Sequence, residues 1–442
     1  MKFLFTALTI LFAFGHAQAA PKAVQVSGGA LFTCTLFDNQ KIKCWGDGYY
    51  GQTGLGTTTV KGDNSGEMGD LLPYVDLGTN VLADRIYSSE YTTCARTTSK
   101  GLKCWGYGYN GSLAHGTTTT IGNGPNQMGD LNKGPMLGQV QGVLEMDGGY
   151  LFFCAIFEDK RVKCWGDNSN GQLGYGDTLN RGNTSTTIGD SLPYVDLGSV
   201  SKPMKISGGR YHTCALFENG KVKCWGSNSR GELGLGDNVP RGNKPGQMGD
   251  ALPFVNLGTD MVTDITAGEY MSCALFKNGK VKCWGDGQGG RLGYGDTTTR
   301  GTKPTDMGDN LAWLSLGDSV PIMKLQANVS TTCARFLNGT IKCWGNNGTG
   351  QLGYGDRLPR GDDAAEMGES LEPVYLGRNA RVESFSVSAN HTCATVYSMN
   401  QYKGTKCWGY NYYGQLGLEH RNEMGSNAGD MNGLSFIDLG QQ

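Results

Sequence analysis

Residues 214–226 read CALFENGKVKCWG. Two runs of strand-forming residues flank Glu218-Asn219-Gly220, and each run carries one cysteine. A three-residue hairpin loop with glycine in the left-handed region sets residue 217 opposite 221 and 216 opposite 222. Cys214 then lies directly across from Cys224. A two-residue Asn-Gly loop would slip the register by one and set Cys214 against Trp225. Directly opposed strand residues lie within disulfide reach, so the cysteine spacing selects the three-residue loop. In that register Cys214, Leu216, Val222 and Cys224 share one face. Ala215, Phe217 and Trp225 share the other with Lys221 and Lys223. Apolar groups on both sides predict a sheet covered on both faces, with the lysine heads reaching water at an outer edge. Met204–Ser207 is expected as a preceding strand. Pro253–Leu257 is expected as a fourth, after a long glycine-rich excursion.

The segment recurs seven times. The first cysteine of each unit is Cys34, Cys94, Cys154, Cys214, Cys273, Cys333 or Cys393, at steps of 60, 60, 60, 59, 60 and 60 residues. The second is Cys44, Cys104, Cys164, Cys224, Cys283, Cys343 or Cys407, and Trp-Gly follows every time. All fourteen cysteines and seven of the eight tryptophans are thereby placed, the tryptophans as core between units. Units start near residues 22, 82, 142, 202, 261, 321 and 381, and no linker separates them, so residues 20–442 read as one domain. The expected fold is all-β: a seven-bladed β-propeller of four-stranded antiparallel blades, with one hairpin disulfide per blade. Ring closure hides every blade face. An open solenoid would need polar capping repeats, and the end units carry the same apolar pattern as the middle ones.

Residues 1–19 read as a signal peptide: Lys2, an apolar run of twelve residues from Phe3 to Phe14, then Ala17-Gln18-Ala19 as a small-x-small cleavage site. A run of twelve is too short to cross a bilayer, where ~20 residues are needed. The expectation is a secreted or periplasmic protein without membrane insertion, in a compartment where cysteines pair. With 38 basic against 40 acidic residues, the chain lacks the basic footprint of a nucleic-acid binder. No cofactor or metal is expected. Cysteines at metal-ligand spacing are missing, and the Gly-x-Gly-Asp turns at Asp177, Asp237, Asp296 and Asp356 offer calcium one carboxylate each. Nucleophile-elbow, zinc-helix and phosphate-loop motifs are missing too, so the chain reads as a non-enzyme. A basic residue precedes an acid by nine positions in six units, as in Arg181–Asp190 and Arg241–Asp250. These are expected to pin the excursion by ion pairs or by arginine-to-carbonyl bonds.

The stretch from Cys214 to Gly234 resembles the regulator of chromosome condensation repeat. With its tail from Met248 to Gly258, it is similar to a secreted bacterial branch of that family bearing cysteine pairs. The resemblance covers the mature chain and implies a seven-bladed propeller. It implies less about activity. The nuclear member exchanges nucleotide on a small GTPase through a wedge inserted in one blade. A secreted bacterial relative inhibits β-lactamases with its propeller mouth. The longest insertion here is about four residues, near Met399–Tyr402.

Two positions vary while the scaffold repeats. The turn four residues before each first cysteine carries Ala30, Glu90, Tyr150, Arg210, Glu269, Val329 and Ala389, and nearby stand Tyr91, Tyr211 and Tyr270. The loop after Trp-Gly is polar in units three to six. In units one, two and seven it holds Tyr49, Tyr50, Tyr107, Tyr109, Tyr410, Tyr412 and Tyr413. Ring closure makes those units neighbours, so seven tyrosines are expected on one sector. Variable loops on a rigid frame are where binding specificity sits. The tyrosines, with Glu90, Tyr150, Arg210 and Glu269, are therefore the candidate binding residues. The expected function is an exported, non-catalytic binding module, in narrower form a protein inhibitor, whose partner is a protein or a glycan. The alternatives are a propeller enzyme acting on an extracellular polysaccharide and, by family analogy, nucleotide exchange.

Overall fold

The computed structural model describes residues 20–140, 142–317 and 320–440, so the signal peptide read at 1–19 lies outside the described residues. Seven antiparallel sheets follow one another along the chain, each of three consecutive strands. Blade four shows the pattern: Pro203–Gly208, His212–Phe217 and Val222–Gly226. Cys214 opposes Cys224, and Leu216 opposes Val222. Gly220 adopts φ +72°, the left-handed turn position. The cysteines are opposed in every blade. All seven pairs are bonded, with Cα atoms 4.0–4.1 Å apart.

The expected fourth strand is not formed. Pro253–Leu257 runs extended along the third strand, where Val255 N donates to Val222 O at 2.8 Å. Pro253 has no N–H to give. The Leu257 carbonyl accepts instead from Lys282 Nζ of the next blade at 3.0 Å. The same chemistry corrects the outer-edge placement for Lys223, whereas Lys221 is exposed. Lys223 is 2% exposed, and its ammonium donates to Leu197 O at 2.9 Å and Gly249 O at 2.8 Å. It thus stitches the tail of the preceding blade to its own. Lys43, Lys163 and Lys282 do likewise. Burial lowers the pKa of Lys223.

The nine-residue ion pairs are also corrected. Arg181, Arg241, Arg300 and Arg360 pair with Asp177, Asp237, Asp296 and Asp356, four residues earlier, at 2.6–2.8 Å. Each also donates to a carbonyl two residues back, so the expected arginine-to-carbonyl pinning is present. The later acids serve elsewhere. Asp190 and Asp250 accept backbone N–H bonds from Gln139 and Ser199 of the preceding tails, as Asp130 does from Thr79 in the unit that lacks the basic residue. A partner four residues away with a shorter loop to order wins over one nine away.

The seven hairpin tryptophans are fully buried. Trp225 Nε1 donates to Gln172 O of the preceding blade at 2.9 Å, and Thr213 Oγ1 shares that carbonyl. The same link joins the last blade to the first: Trp45 Nε1 donates to Gln415 O at 3.0 Å. Thr33 Oγ1 lies 2.8 Å from His391 Nε2, and Gly69 N donates to Asp438 O at 3.0 Å. The ring is therefore shut. Phe436–Leu439 is an extended tail like those of the other blades, tied by Ile437 N to Thr405 O at 2.9 Å.

Candidate functional site

Each first strand ends on one rim of the ring, where a short turn leads into the second strand. Backbone bonds join these turns between blades. Ala30 N donates to Glu90 O at 2.8 Å, Arg210 N to Gly268 O at 3.0 Å, and Glu269 N to Val329 O at 2.9 Å. Side chains on this rim are thus held by a hydrogen-bonded frame. The third strands end on the same rim, because each is antiparallel to the second. Both variable positions therefore face one mouth.

Arg210 bridges turns of three blades on this mouth. Its Nε is 3.2 Å from Glu90 Oε1 and its Nη1 is 2.9 Å from Glu269 Oε1. Blades two, four and five are tied by one guanidinium. The same group lies 5.2 Å from the Tyr150 ring centroid and 5.5 Å from that of Tyr211. Burial pushes the Glu90 carboxyl up, while Arg210 pulls it down.

Around Arg210 the tyrosines form a continuous arc. Tyr49 meets Tyr50 at 5.0 Å between centroids, and Tyr50 meets Tyr107 at 4.2 Å and Tyr91 at 5.6 Å. Tyr107 stacks with Tyr109 at 5.6 Å. The chain of contacts continues from Tyr91 to Tyr150 at 6.3 Å, Tyr150 to Tyr211 at 6.3 Å, and Tyr211 to Tyr270 at 5.9 Å. Eight rings from blades one to five are linked. The blade-seven tyrosines, expected on the same sector, stay outside this chain of ring contacts. Tyr410, Tyr412 and Tyr413 of blade seven touch one another, at 6.5 and 5.1 Å. Among the described residues no ring contact joins them to Tyr49 or Tyr50. The arc grows the other way because Tyr91, Tyr211 and Tyr270 stand on the inner turns, where spacing between blades is shortest. Glu90, Tyr150, Arg210 and Glu269 are brought together as one cluster inside it.

Below this cluster the first strands line a cavity of about 210 Å³. Gln25, Arg85, Glu145, Lys205 and Lys324 line it, each beside an apolar core residue such as Ile86 or Met146. The sequence reading missed them. The available signal was a polar position of changing charge next to a constant apolar one. Nearer the mouth in the same wall, Asp147 accepts from Gly148 N at 3.0 Å and Gly208 N at 3.2 Å. Burial pushes its carboxyl up to about 6.

Comparison with known proteins agrees with this architecture. Two sequence models described as "Regulator of chromosome condensation (RCC1) repeat" match, one at residues 23–52, 145–172, 205–232 and 262–291, the other at 161–216 and 219–275. Human "Probable E3 ubiquitin-protein ligase HERC6" is 29% identical over 276 residues, covering 62% of this chain and 24% of its own. Arabidopsis thaliana "Ultraviolet-B receptor UVR8" is 29% identical over 225 residues, covering 50% of this chain and 44% of its own. Arabidopsis thaliana "RCC1 domain-containing protein RUG3, mitochondrial" is 31% identical over 244 residues, 55% and 50% of the two chains. The matches span half or less of these relatives. Among solved structures, human WBSCR16 aligns with TM-score 0.63 at 16% identity, covering 86% of this chain and 88% of that one. Prp20p of Saccharomyces cerevisiae aligns with TM-score 0.63 at 19% identity, covering 91% and 85%. Those two likenesses concern the fold. Seven Cys…Cys-Trp-Gly units, a shut ring of seven sheets and matching repeat models place this chain in the regulator of chromosome condensation (RCC1) repeat family.

Proposed function

We propose that this protein is an exported, non-catalytic module that grips a partner protein with its tyrosine-lined mouth. The observation that carries the reading is the arc of eight linked rings, two of which lie beside the Arg210 guanidinium. Tyrosine supplies large contact area at low entropic cost, and aromatic and arginine anchors dominate interface energetics. Here the rings already brace one another, so less freedom is lost on binding.

A protein partner is favoured over a glycan. Interplanar angles of 73–85° set ring edges onto neighbouring faces at Tyr49–Tyr50, Tyr50–Tyr91 and Tyr91–Tyr150. Flat sugar stacking wants a free face, whereas edges and hydroxyls suit mixed protein surface. Relatives' printed titles point the same way: yeast RCC1 (Prp20) is described bound to Kap60, and Prp20p with binding properties toward Gsp1p and histones. Inhibition of the captured protein is the narrower form of the proposal. The polysaccharide-hydrolase alternative is disfavoured because Glu90 and Glu269 are both committed to Arg210. Export rests on the leader-like residues 1–19 and the seven disulfides.

The test uses oxidised residues 20–442 and the Tyr50→Ser/Tyr91→Ser/Tyr107→Ser variant against the secretome of the source organism. One stoichiometric protein retained by the parent and lost by an equally folded variant supports the reading. Equal retention by both rules out the arc, and hydrolysis of a glycan panel would promote the enzyme.

A further inference from the structure

Around the central cavity, adjacent blades are linked one level below the mouth by a side-chain acceptor and a backbone N–H. Ser386 accepts from Gly28 N, Asp147 from Gly208 N, Ser207 from Ala267 N, Thr266 from Ala327 N, and Gln326 from Val387 N. Among the described residues, Ser27 of blade one and blade two break the series, and blade two departs furthest. Its residue at this level is Tyr87, whose hydroxyl is buried without a hydrogen-bond partner. Ser88 and Ser89 beside it are also unpartnered at their hydroxyls, and Ser89 is only 4% exposed. All three line the cavity. Burial pushes the Tyr87 phenol further up, so it stays a neutral donor.

One level lower, Arg85 stands on the same strand, Ala83–Ser88, and Lys324 projects from blade six. Neither forms an ion pair among the described residues, whereas Lys205 is spent on Asp264. Glu145 is the carboxylate between them, and burial pushes its carboxyl up despite Lys205, Arg85 and Lys324. Lys324 lies over the Phe385 ring at 5.8 Å, and burial lowers its pKa. Arg85 and Lys324 thus stand outside any ion pair near one weakly held anion, beside three idle hydroxyl donors. Charge-assisted bonds to oxyanions are the strong kind.

We propose that the central channel is a binding site for one small oxyanion, held by Arg85 and Lys324 and by the hydroxyls of Tyr87 and Ser89. Its size fits the cavity of about 210 Å³. An inorganic phosphate and a small dicarboxylate share the required chemistry. The site is separate from the tyrosine arc and stands or falls independently of it.

Calorimetry on oxidised residues 20–442 at constant ionic strength tests it, with phosphate in one arm and malonate in the other. Saturable one-to-one binding in either arm is expected, and the tighter arm identifies the source. Arg85→Gln/Lys324→Met should weaken it at least about tenfold, while Tyr50→Ser leaves it unchanged. Non-saturating heats in both arms, or equal binding by the double variant, overturn the proposal. Should that variant not fold, selenate soaked into wild-type crystals must show its anomalous peak between Arg85 and Lys324. A peak elsewhere, or none, also overturns it.

Discussion

At the scale of single residues, environment overrules the pattern that strand periodicity suggests. Lys221 and Lys223 share a face, yet Lys221 is exposed and Lys223 is 2% exposed, with two carbonyls on its ammonium. Alternation fixed the side of the sheet but not which lysine a neighbouring tail would cover. Lys223→Met leaves Leu197 O without its ammonium donor and Gly249 O with only the Leu252 N–H at 3.3 Å. It should cost about 1–3 kcal/mol in urea denaturation, whereas Lys221→Met should stay within about 0.5 kcal/mol. Asp147 gives a pH signature. Its folded pKa of about 6 lies above the ordinary 3.8, so the folded state holds the proton more tightly. Its contribution is full below pH 3.8 and is lost as pH rises through 6. Asp147→Asn, which keeps an acceptor for Gly208 N, should therefore gain on wild type between pH 4 and pH 8 by about 1–3 kcal/mol. Equal pH profiles of the two proteins would remove the buried carboxyl from the stability account.

At the scale of the element, the hairpin was legible and the tail was not. Ten-residue cysteine spacing admits one register, and the strands follow it. The spacing widens to fourteen in blade seven, where the strands lengthen to His391–Ser398 and Gln401–Gly409 and keep the cysteines opposed. The tail reads as a strand because Val255 and Leu257 alternate as strand residues do. Its carbonyls go to the next blade's lysine, which no single unit reveals. The turn itself carries a testable cost. The position of Gly220 is taken by Gln40 in blade one, at φ +65°. Left-handed backbone costs a residue with a Cβ roughly 1–2 kcal/mol, partly offset by glycine's greater unfolded freedom. Gln40→Gly should stabilise by about 0.5–1 kcal/mol, read as a higher denaturation midpoint at unchanged slope. Removing one disulfide by Cys214→Ala/Cys224→Ala should cost ~2–3 kcal/mol through the chain-entropy effect of a short loop.

At the scale of the whole molecule, closure was visible in the sequence as the equality of first and last units. The position of the aromatic site was only partly visible. Reading loops by unit number put the tyrosines of blades seven, one and two on one sector, but which rings touch also depends on distance from the axis, which a linear repeat does not encode. The inner turns of Tyr91 and Tyr150 are what connect the rings. Closure also sets how the molecule must unfold. The segment after Gly433 buries Leu434 and Ile437 and supplies acceptors to Gly69 N and Lys43 Nζ of blade one. In an open stack, losing a terminal piece would weaken only the adjacent unit. In a shut ring it exposes the contact face of blade one as well, including the Trp45 environment. Ending the chain at Gly433 removes two buried aliphatic side chains worth ~1.5–3 kcal/mol each. The truncated protein should therefore lose at least about 3 kcal/mol. Hydrogen exchange should rise at blades seven and one together, with blade four changing last. Exchange confined to blade seven would mean that the two ends are not coupled and that the ring behaves as a stack.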